Sequence, residues 1–198
     1  MAQEPLTIRD AVATDAPAIT AIYNQGIVDR IATLETEERT PEERSAWLAA
    51  RGPRHPVLVA ELDGTVVGWG SLNQFNSRKA YDFVADFSVY IERDWRGKGV
   101  GSALLRALIA RAKELGYHKL VLAVFPWNAG GMALYQKCGF RTVGIYKEQG
   151  LLDGKWVGMT PEKITTTFGG GSAGKQRSYG NSERGNKGPR NDEKVKSR

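Results

Sequence analysis

The residues best placed to do chemistry are six in a row: Arg96, Gly97, Lys98, Gly99, Val100 and Gly101. Glycines permit φ > 0 and let a bulky anion come close to the main chain. The first N–H groups of a helix have no partner in the preceding turn, and the helix dipole adds partial positive charge there. A glycine turn that opens a helix is therefore an anion cradle. Arg96 and Lys98 add two full charges. A Walker loop would end in Gly-Lys-Ser/Thr, which this stretch lacks. A dinucleotide fingerprint would need a glycine where Ser102 stands. The spacing present is Arg-x-x-Gly-x-Gly. A basic turn that merely joins two elements would look the same in isolation, so the flanking elements decide.

Those elements have the right order. Upstream, Tyr81 to Glu92 alternates and predicts a strand. Tyr81, Phe83, Ala85, Phe87, Val89 and Ile91 share one face, and Asp82, Val84, Asp86, Ser88, Tyr90 and Glu92 the other. Downstream, Val100, Leu104, Leu105, Leu108, Ile109, Ala112 and Leu115 form a helical stripe, and Gly116 can end that helix. Leu120 to Phe125 is continuously apolar, as in a strand covered on both faces in a parallel pair. Strand, helix and buried strand make a βαβ unit, so the fold class is α/β with a mixed sheet.

The remaining elements build around that unit. Leu6 to Arg9 reads as a short strand, and Asp15 can cap a helix with Pro17 in its first turn. Ile19, Ile22, Tyr23 and Ile27 recur at helical spacing along it. Thr40-Pro41-Glu42-Glu43 is a capping box for a second helix bearing Trp47 and Leu48. Val57 to Leu62 and Thr65 to Leu72 read as strands joined by an Asp63-Gly64 type I′ turn, followed by a loop from Asn73 to Lys79. Asn128 can cap a short helix carrying Met132, Tyr135 and Cys138, with Gly139 at its end. Phe140 to Tyr146 and Lys155 to Met159 look like a closing pair of strands joined around Asp153-Gly154. Val157 to Pro161 is expected to weaken the last strand, because Pro161 cannot donate to a ladder.

Charge and composition narrow the partners. The chain has 198 residues and a net charge of +6. Eight of its 28 Lys/Arg and three of its 22 Asp/Glu lie from Gly169 on, so the preceding part is nearly neutral. Residues 1–165 are read as one domain. Residues 169–198, rich in Gly, Ser, Lys and Arg, are expected to be a disordered basic tail. Nucleic acid is an unpromising partner except through that tail. One cysteine, Cys138, and two histidines, His55 and His118, give no zinc spacing, so no metal is expected. All three read as structural. A single cysteine suits a reducing compartment, and Met-Ala-Gln-Glu-Pro lacks the marks of a signal peptide, so a cytoplasmic location without membrane spans is expected.

The stretch from Leu6 to roughly Met159 resembles the GNAT superfamily of N-acetyltransferases. Within it the chain is most similar to the phosphinothricin and methionine sulfoximine N-acetyltransferases. Arg78 to Tyr81, Asp86 to Tyr90, Arg96 to Gly101, Asn128 to Tyr135, Gly139-Phe140 and Gly154-Lys155-Trp156 carry the likeness. The glycine loop is common to the superfamily, while the Tyr81 to Tyr90 stretch and Gly-Lys-Trp point to the subgroup.

The resemblance implies a twisted mixed sheet with splayed parallel strands, acetyl-CoA as cosubstrate, a small amine as acceptor and a homodimer. It implies that Ser88, Val89 and Tyr90 offer backbone groups to the pantetheine arm. Arg96, Gly97, Lys98, Gly99, Val100 and Gly101 would hold the pyrophosphate, and Asn128 would bond the arm. Asp86 becomes the candidate base, where the subgroup usually has glutamate; a solvated strand carboxylate would look the same. Tyr135 becomes the candidate acid, where the subgroup often has histidine; a core aromatic on an amphipathic helix is the other reading. Arg78, Lys79, Ala80 and Tyr81 would line the acceptor pocket, with Lys155 and Trp156 closing it, although a plain basic loop also fits. Two other functions share these residues: acetylation of a protein or peptide amine, and CoA binding without catalysis.

Overall fold

The computed structural model describes residues 5–165, so the expected disordered tail at 169–198 lies outside the described residues. Strand β1 (Thr7–Asp10) leads through a 3-10 turn to helix α1 (Ala16–Val28) and, after a loop, helix α2 (Pro41–Ala49). Strands β2 (Val57–Leu62) and β3 (Thr65–Gln74) form a hairpin, and β4 (Val84–Ile91) follows a second 3-10 turn at Lys79–Tyr81. A third 3-10 turn (Arg93–Trp95) leads into α3 (Val100–Glu114). Then come β5 (Lys119–Val124), α4 (Ala129–Lys137), β6 (Arg141–Thr142), β7 (Tyr146–Leu152) and β8 (Lys155–Thr165). The sheet runs β1-β2-β3-β4-β5-β8-β6, with β7 also on β8. All pairings are antiparallel except β4 with β5.

Alternation along the strands sends side chains to two cores. Leu58, Leu72, Ala85, Phe87 and Leu120 pack with Leu104, Leu105 and Leu108 of α3 and with Tyr135 of α4. Val57, Val59 and Trp69 face the other way and pack with Ile19 and Ile22 of α1 and Trp47 and Leu48 of α2. On that second face the Arg44 guanidinium lies 4.3 Å from the Tyr23 ring centre and 4.7 Å from that of Trp47. These π faces compensate part of the cost of burying a cation.

The local signals read from the sequence mostly form as expected. Thr40 and Glu43 make the reciprocal capping box. Asp63 and Gly64 both take positive φ, as a type I′ turn requires. Asn128 Oδ1 caps α4 by accepting from the Gly131 N–H at 2.8 Å.

Four expectations are corrected. Asp15 makes no side-chain cap on α1. Its carboxylate accepts from the Val12 N–H at 2.8 Å and from Arg9, whose hydrogen bond holds its pKa below the usual value. The fourth strand begins at Val84, not Tyr81, because β3 offers partners only as far as Gln74, opposite Ala85. The strand expected over Phe140 to Tyr146 is reduced to Arg141–Thr142. That remnant still pairs with β8, but the hairpin partner of β8 around the Asp153-Gly154 turn, with both turn residues at positive φ, is β7. Finally, β8 runs unbroken to Thr165, with Pro161 opposite Ala123 of β5. On its other edge, β8 meets β7 up to Met159 and β6 from Glu162, so Pro161 falls in the gap between those partners. A missing N–H is tolerated there.

Candidate active site

Between β4 and β5 the sheet opens. The two parallel strands pair only from Val84–Lys119 to Asp86–Val121, although β4 continues to Ile91 and β5 to Val124. On its other side β4 stays paired to β3 as far as Gly68–Ile91. Residues 87–91 therefore have one bonded edge and one edge turned to the split. An extended ligand with amide groups can add to such an edge as a strand would.

A cavity of about 180 Å³ occupies the split. Asp86, Phe87, Ser88, Val89 and Tyr90 line it from β4, residues 122–124 from β5 and Phe125 just after it, with Asn128 and Tyr135 at the side. A second cleft, of about 360 Å³, shares Val89, Tyr90, Asn128 and Tyr135 and extends past Arg96, Gly97, Gly99 and Gly101. Together they form a path from the glycine turn to Asp86.

The cradle is built by backbone. Gly97 and Gly99 have φ of +76° and +90°, and a Cβ on either would meet no atom within 4 Å. That open space suits a phosphate pressed against the main chain. Gly101 serves differently: a Cβ there would lie 3.1 Å from Leu134 Cδ2, so this glycine lets α3 approach α4. The Val100 side chain is buried in the core at the start of α3. The first N–H groups to return to the chain are those of Ser102 and Ala103, both on the Gly99 carbonyl at 3.1 Å. The Lys98 ammonium lies 4.8 Å from the Trp95 ring centre. Arg96 Nη1 donates to Asp29 at 2.6 Å and its Nε to the Ile91 carbonyl at 3.1 Å.

Asp86 and Tyr135 line the same cavity, Asp86 from the strand and Tyr135 from α4. Burial pushes the Asp86 carboxyl up to about 6, opposed by one hydrogen bond from the Phe87 N–H. Tyr135 is 7 % exposed and packs edge-on to Phe87 at 5.9 Å. The Asn128 side chain is committed at both ends: Oδ1 caps α4, and Nδ2 donates to the Ile31 carbonyl at 2.9 Å.

The proposed acceptor residues lie apart from these cavities. Arg78 precedes the Lys79–Tyr81 turn, where residues 78–81 are exposed, and Tyr81 pairs with Phe75 at 5.4 Å between ring centres. Lys155 and Trp156 begin β8, with Trp156 65 % exposed. Neither group lines the split. Conversely, the structure adds wall residues that sequence reasoning missed. Gly130, Gly131 and Lys137 line the cleft from α4, the two glycines within the motif run Asn128 to Tyr135 and Lys137 just beyond it. Ile31 and Ala32, from the loop after α1, line both cavities. No periodicity or motif marks them.

Burial raises the Cys138 thiol and lowers the His55 imidazole, so neither is set up as a reactive group. Among the described residues no group of three His, Cys, Asp or Glu could hold a metal ion, and no helix is long and apolar enough to cross a membrane.

The acetyltransferase (GNAT) family profile matches residues 22–140. The chain is 35% identical over 156 residues to an L-methionine sulfoximine/L-methionine sulfone acetyltransferase from Pseudomonas paraeruginosa, covering 78% of this chain and 91% of that one. It is similar to the solved structure of a GNAT superfamily phosphinothricin acetyltransferase from Sinorhizobium meliloti in complex with AcCoA. There the TM-score is 0.77 and the identity 30%, over 82% of this chain and 89% of that one. A ribosomal-protein-alanine N-acetyltransferase from Brucella melitensis superposes with a TM-score of 0.78 at 34% identity, over 81% and 99% of the two chains.

Proposed function

The chain belongs to the acetyltransferase (GNAT) family, and on that footing we propose that it transfers an acetyl group from acetyl-CoA to the amino group of a small amino-acid analogue. The acceptor is of the phosphinothricin, methionine sulfoximine or methionine sulfone type, as in the names of its relatives. The observation that carries this reading is the continuous path from a phosphate-sized cradle to a buried carboxylate in a parted sheet.

Residues of this chain suit the cosubstrate. The N–H groups around Gly97 to Gly101 and the Arg96 and Lys98 charges would hold the pyrophosphate. The open edge of Ser88 to Tyr90 would hold the pantetheine arm. Asn128, already committed twice, would act by fixing the start of α4 and the Ile31 wall. Bound acetyl-CoA supplies the thioester carbonyl that the amine attacks, with both substrates on the protein at once.

Asp86 does the base work. Its carboxylate accepts a proton from the acceptor ammonium, directly or through one water, since aspartate is a methylene shorter than glutamate. A carboxyl tuned to about 6 is ionised at neutral pH yet more basic than an ordinary one. The Tyr135 hydroxyl holds a proton at the split for the departing sulfur. The subgroup resemblance also assigns Arg78 and Lys79 to the acceptor, but they are exposed in the turn before β4 and apart from the split, so no step of this reading runs through them.

The likeness to a ribosomal-protein-alanine N-acetyltransferase supports a second reading, in which the acceptor is a protein amine. An acceptor screen that follows thiol release separates them. Release is expected with acetyl-CoA plus methionine sulfone or phosphinothricin, and removal of residues 169–198 should leave it intact. No release with any small amine would overturn the first reading, and release only with a protein, lost on truncation, would establish the second.

A further inference from the structure

Three consecutive residues after α1 join the two banks of the cofactor cleft. Asp29 ends the helix. Its Oδ2 accepts from Arg96 Nη1 at 2.6 Å and its Oδ1 from Arg93 Nη2 at 2.6 Å. Two residues on, the Ile31 carbonyl accepts from Asn128 Nδ2 at 2.9 Å. Arg96 stands just before α3 and Asn128 just before α4, and both line the cleft.

Arg30 makes this reach possible. Its φ is +53°, a left-handed conformation uncommon for a residue with a Cβ. It is held there by its neighbours: its carbonyl accepts from Trp127 Nε1 at 3.0 Å, and its guanidinium meets Asp153 at 3.0 and 3.1 Å. A non-glycine residue kept at positive φ by this many contacts points to a constrained, functional segment.

A carboxylate beside an arginine at an anion site can hold that arginine in place or compete with the anion. Here one carboxylate is shared by two guanidinium groups, so the Arg93–Asp29–Arg96 cluster keeps a net positive charge. Arg96 is gripped through Nε and Nη1, by Ile91 and Asp29, which leaves Nη2 for a ligand. The hydrogen bond from Arg93, and then that from Arg96, keep the Asp29 carboxyl below its ordinary range, so it stays charged at working pH.

We propose that Asp29 is a positioning residue for acetyl-CoA, and that residues 29–31 brace the cleft by fixing Arg96 on one bank and Asn128 on the other. The proposal rests on the acetyl-CoA assignment of the cleft.

Steady-state kinetics of the full-length enzyme with Asp29→Asn test it. Asparagine keeps the shape and suits a helix end but removes the charge. The KM for acetyl-CoA should rise about tenfold, since a charge-assisted hydrogen bond that orients Arg96 is lost. The acceptor KM and kcat should stay within about twofold. Asp29→Glu should recover most of the loss, and titration with CoA alone should show the same order of affinities. An unchanged acetyl-CoA KM overturns the proposal. So does a lowered one, which would make Asp29 a competitor of the pyrophosphate. Equal losses in kcat and both KM values, with a lower unfolding midpoint, would reduce Asp29 to a structural residue and also overturn it. If the unsubstituted protein fails to bind CoA, the acetyl-CoA assignment falls first and the brace with it.

Discussion

Asp86 shows how one side chain can be set against the fold that holds it. Its carboxyl is pushed up to about 6 by burial in the split, so the protonated form is favoured in the folded state. The stability this gives is present at low pH and is lost as the pH rises through about 6. At about pH 8 the ionised group costs the fold up to about 3 kcal/mol. Asp86→Asn should therefore raise the thermal midpoint at about pH 8 and leave it nearly unchanged at about pH 3.5, as calorimetry at the two values would show. Activity should move the other way. In the unsubstituted enzyme kcat/KM should climb through about pH 6 as the base ionises and then level. Asp86→Asn should cost roughly 10²- to 10⁴-fold and abolish that limb. Opposed changes in stability and turnover mark a group retained for function. Strand alternation placed Asp86 on the polar face with Ser88, but as a candidate base it was legible only through the family resemblance. Its basicity was not, since burial depends on Leu122, Ala123 and Ile31, which come from elsewhere in the chain. Asn128 was legible as a helix cap, but its second bond, to Ile31, spans 97 residues and leaves no local signal.

At the scale of elements, the glycine turn was the clearest feature, because its conformational demands are local. Gly97 and Gly99 need positive φ, while Gly101 is needed for the α3–α4 contact. These two demands can be separated by substitution. Gly99→Ala should cost about 1 kcal/mol of stability through the disfavoured φ, and it puts a methyl group into the cradle. Gly101→Val should press on Leu134 and cost about 1–3 kcal/mol. Unfolding midpoints with and without CoA distinguish them: Gly99→Ala should lose most of the shift that CoA produces, and Gly101→Val should start lower but keep a shift. Equal loss of the CoA shift in both would contradict the division of labour. Where the sequence misled, the deciding partner lay outside the segment. Alternation runs on through Tyr81 and Phe83, yet β3 has no residue to pair with them. Val143 and Ile145 have strand-like side chains, but they are 44 % and 66 % exposed and precede β7 rather than forming it. Pro161 lowers the expectation of a strand, but the gap between β7 and β6 removes the need for its N–H.

Across the whole molecule, the distribution of apolar surface bears on assembly. Val143, Ile145, Tyr146, Leu151 and Trp156 are all between 44 % and 66 % exposed, and all belong to the segment that forms and leads into the β7–β8 hairpin. Apolar residues scattered singly need no account, but a run concentrated on one hairpin suggests a covered face. Leu151 and Trp156 stand directly opposite one another in the β7–β8 ladder, so they share one face of the hairpin. The hairpin is anchored to the body through Arg30 and Asp153 and through the Phe125, Leu152 and Met159 cluster, so its surface is already in place for docking. We propose a second copy of this chain as the occupant, in keeping with the homodimer that the subgroup resemblance implies. A two-fold interface uses the same patch on both subunits, so one charged substitution is introduced twice and faces itself. Ile145→Lys should thus turn a dimeric mass by light scattering into a monomeric one at micromolar concentration, with little loss of thermal stability because Ile145 is solvent-facing within the subunit. A monomeric mass for the unsubstituted protein would overturn the assignment, and so would a dimer that Ile145→Lys and Trp156→Lys both leave intact. If dimerisation also orders the acceptor side, Lys155 and Trp156 belong to it through the assembly, and the monomeric variant should lose acceptor affinity while keeping its affinity for CoA.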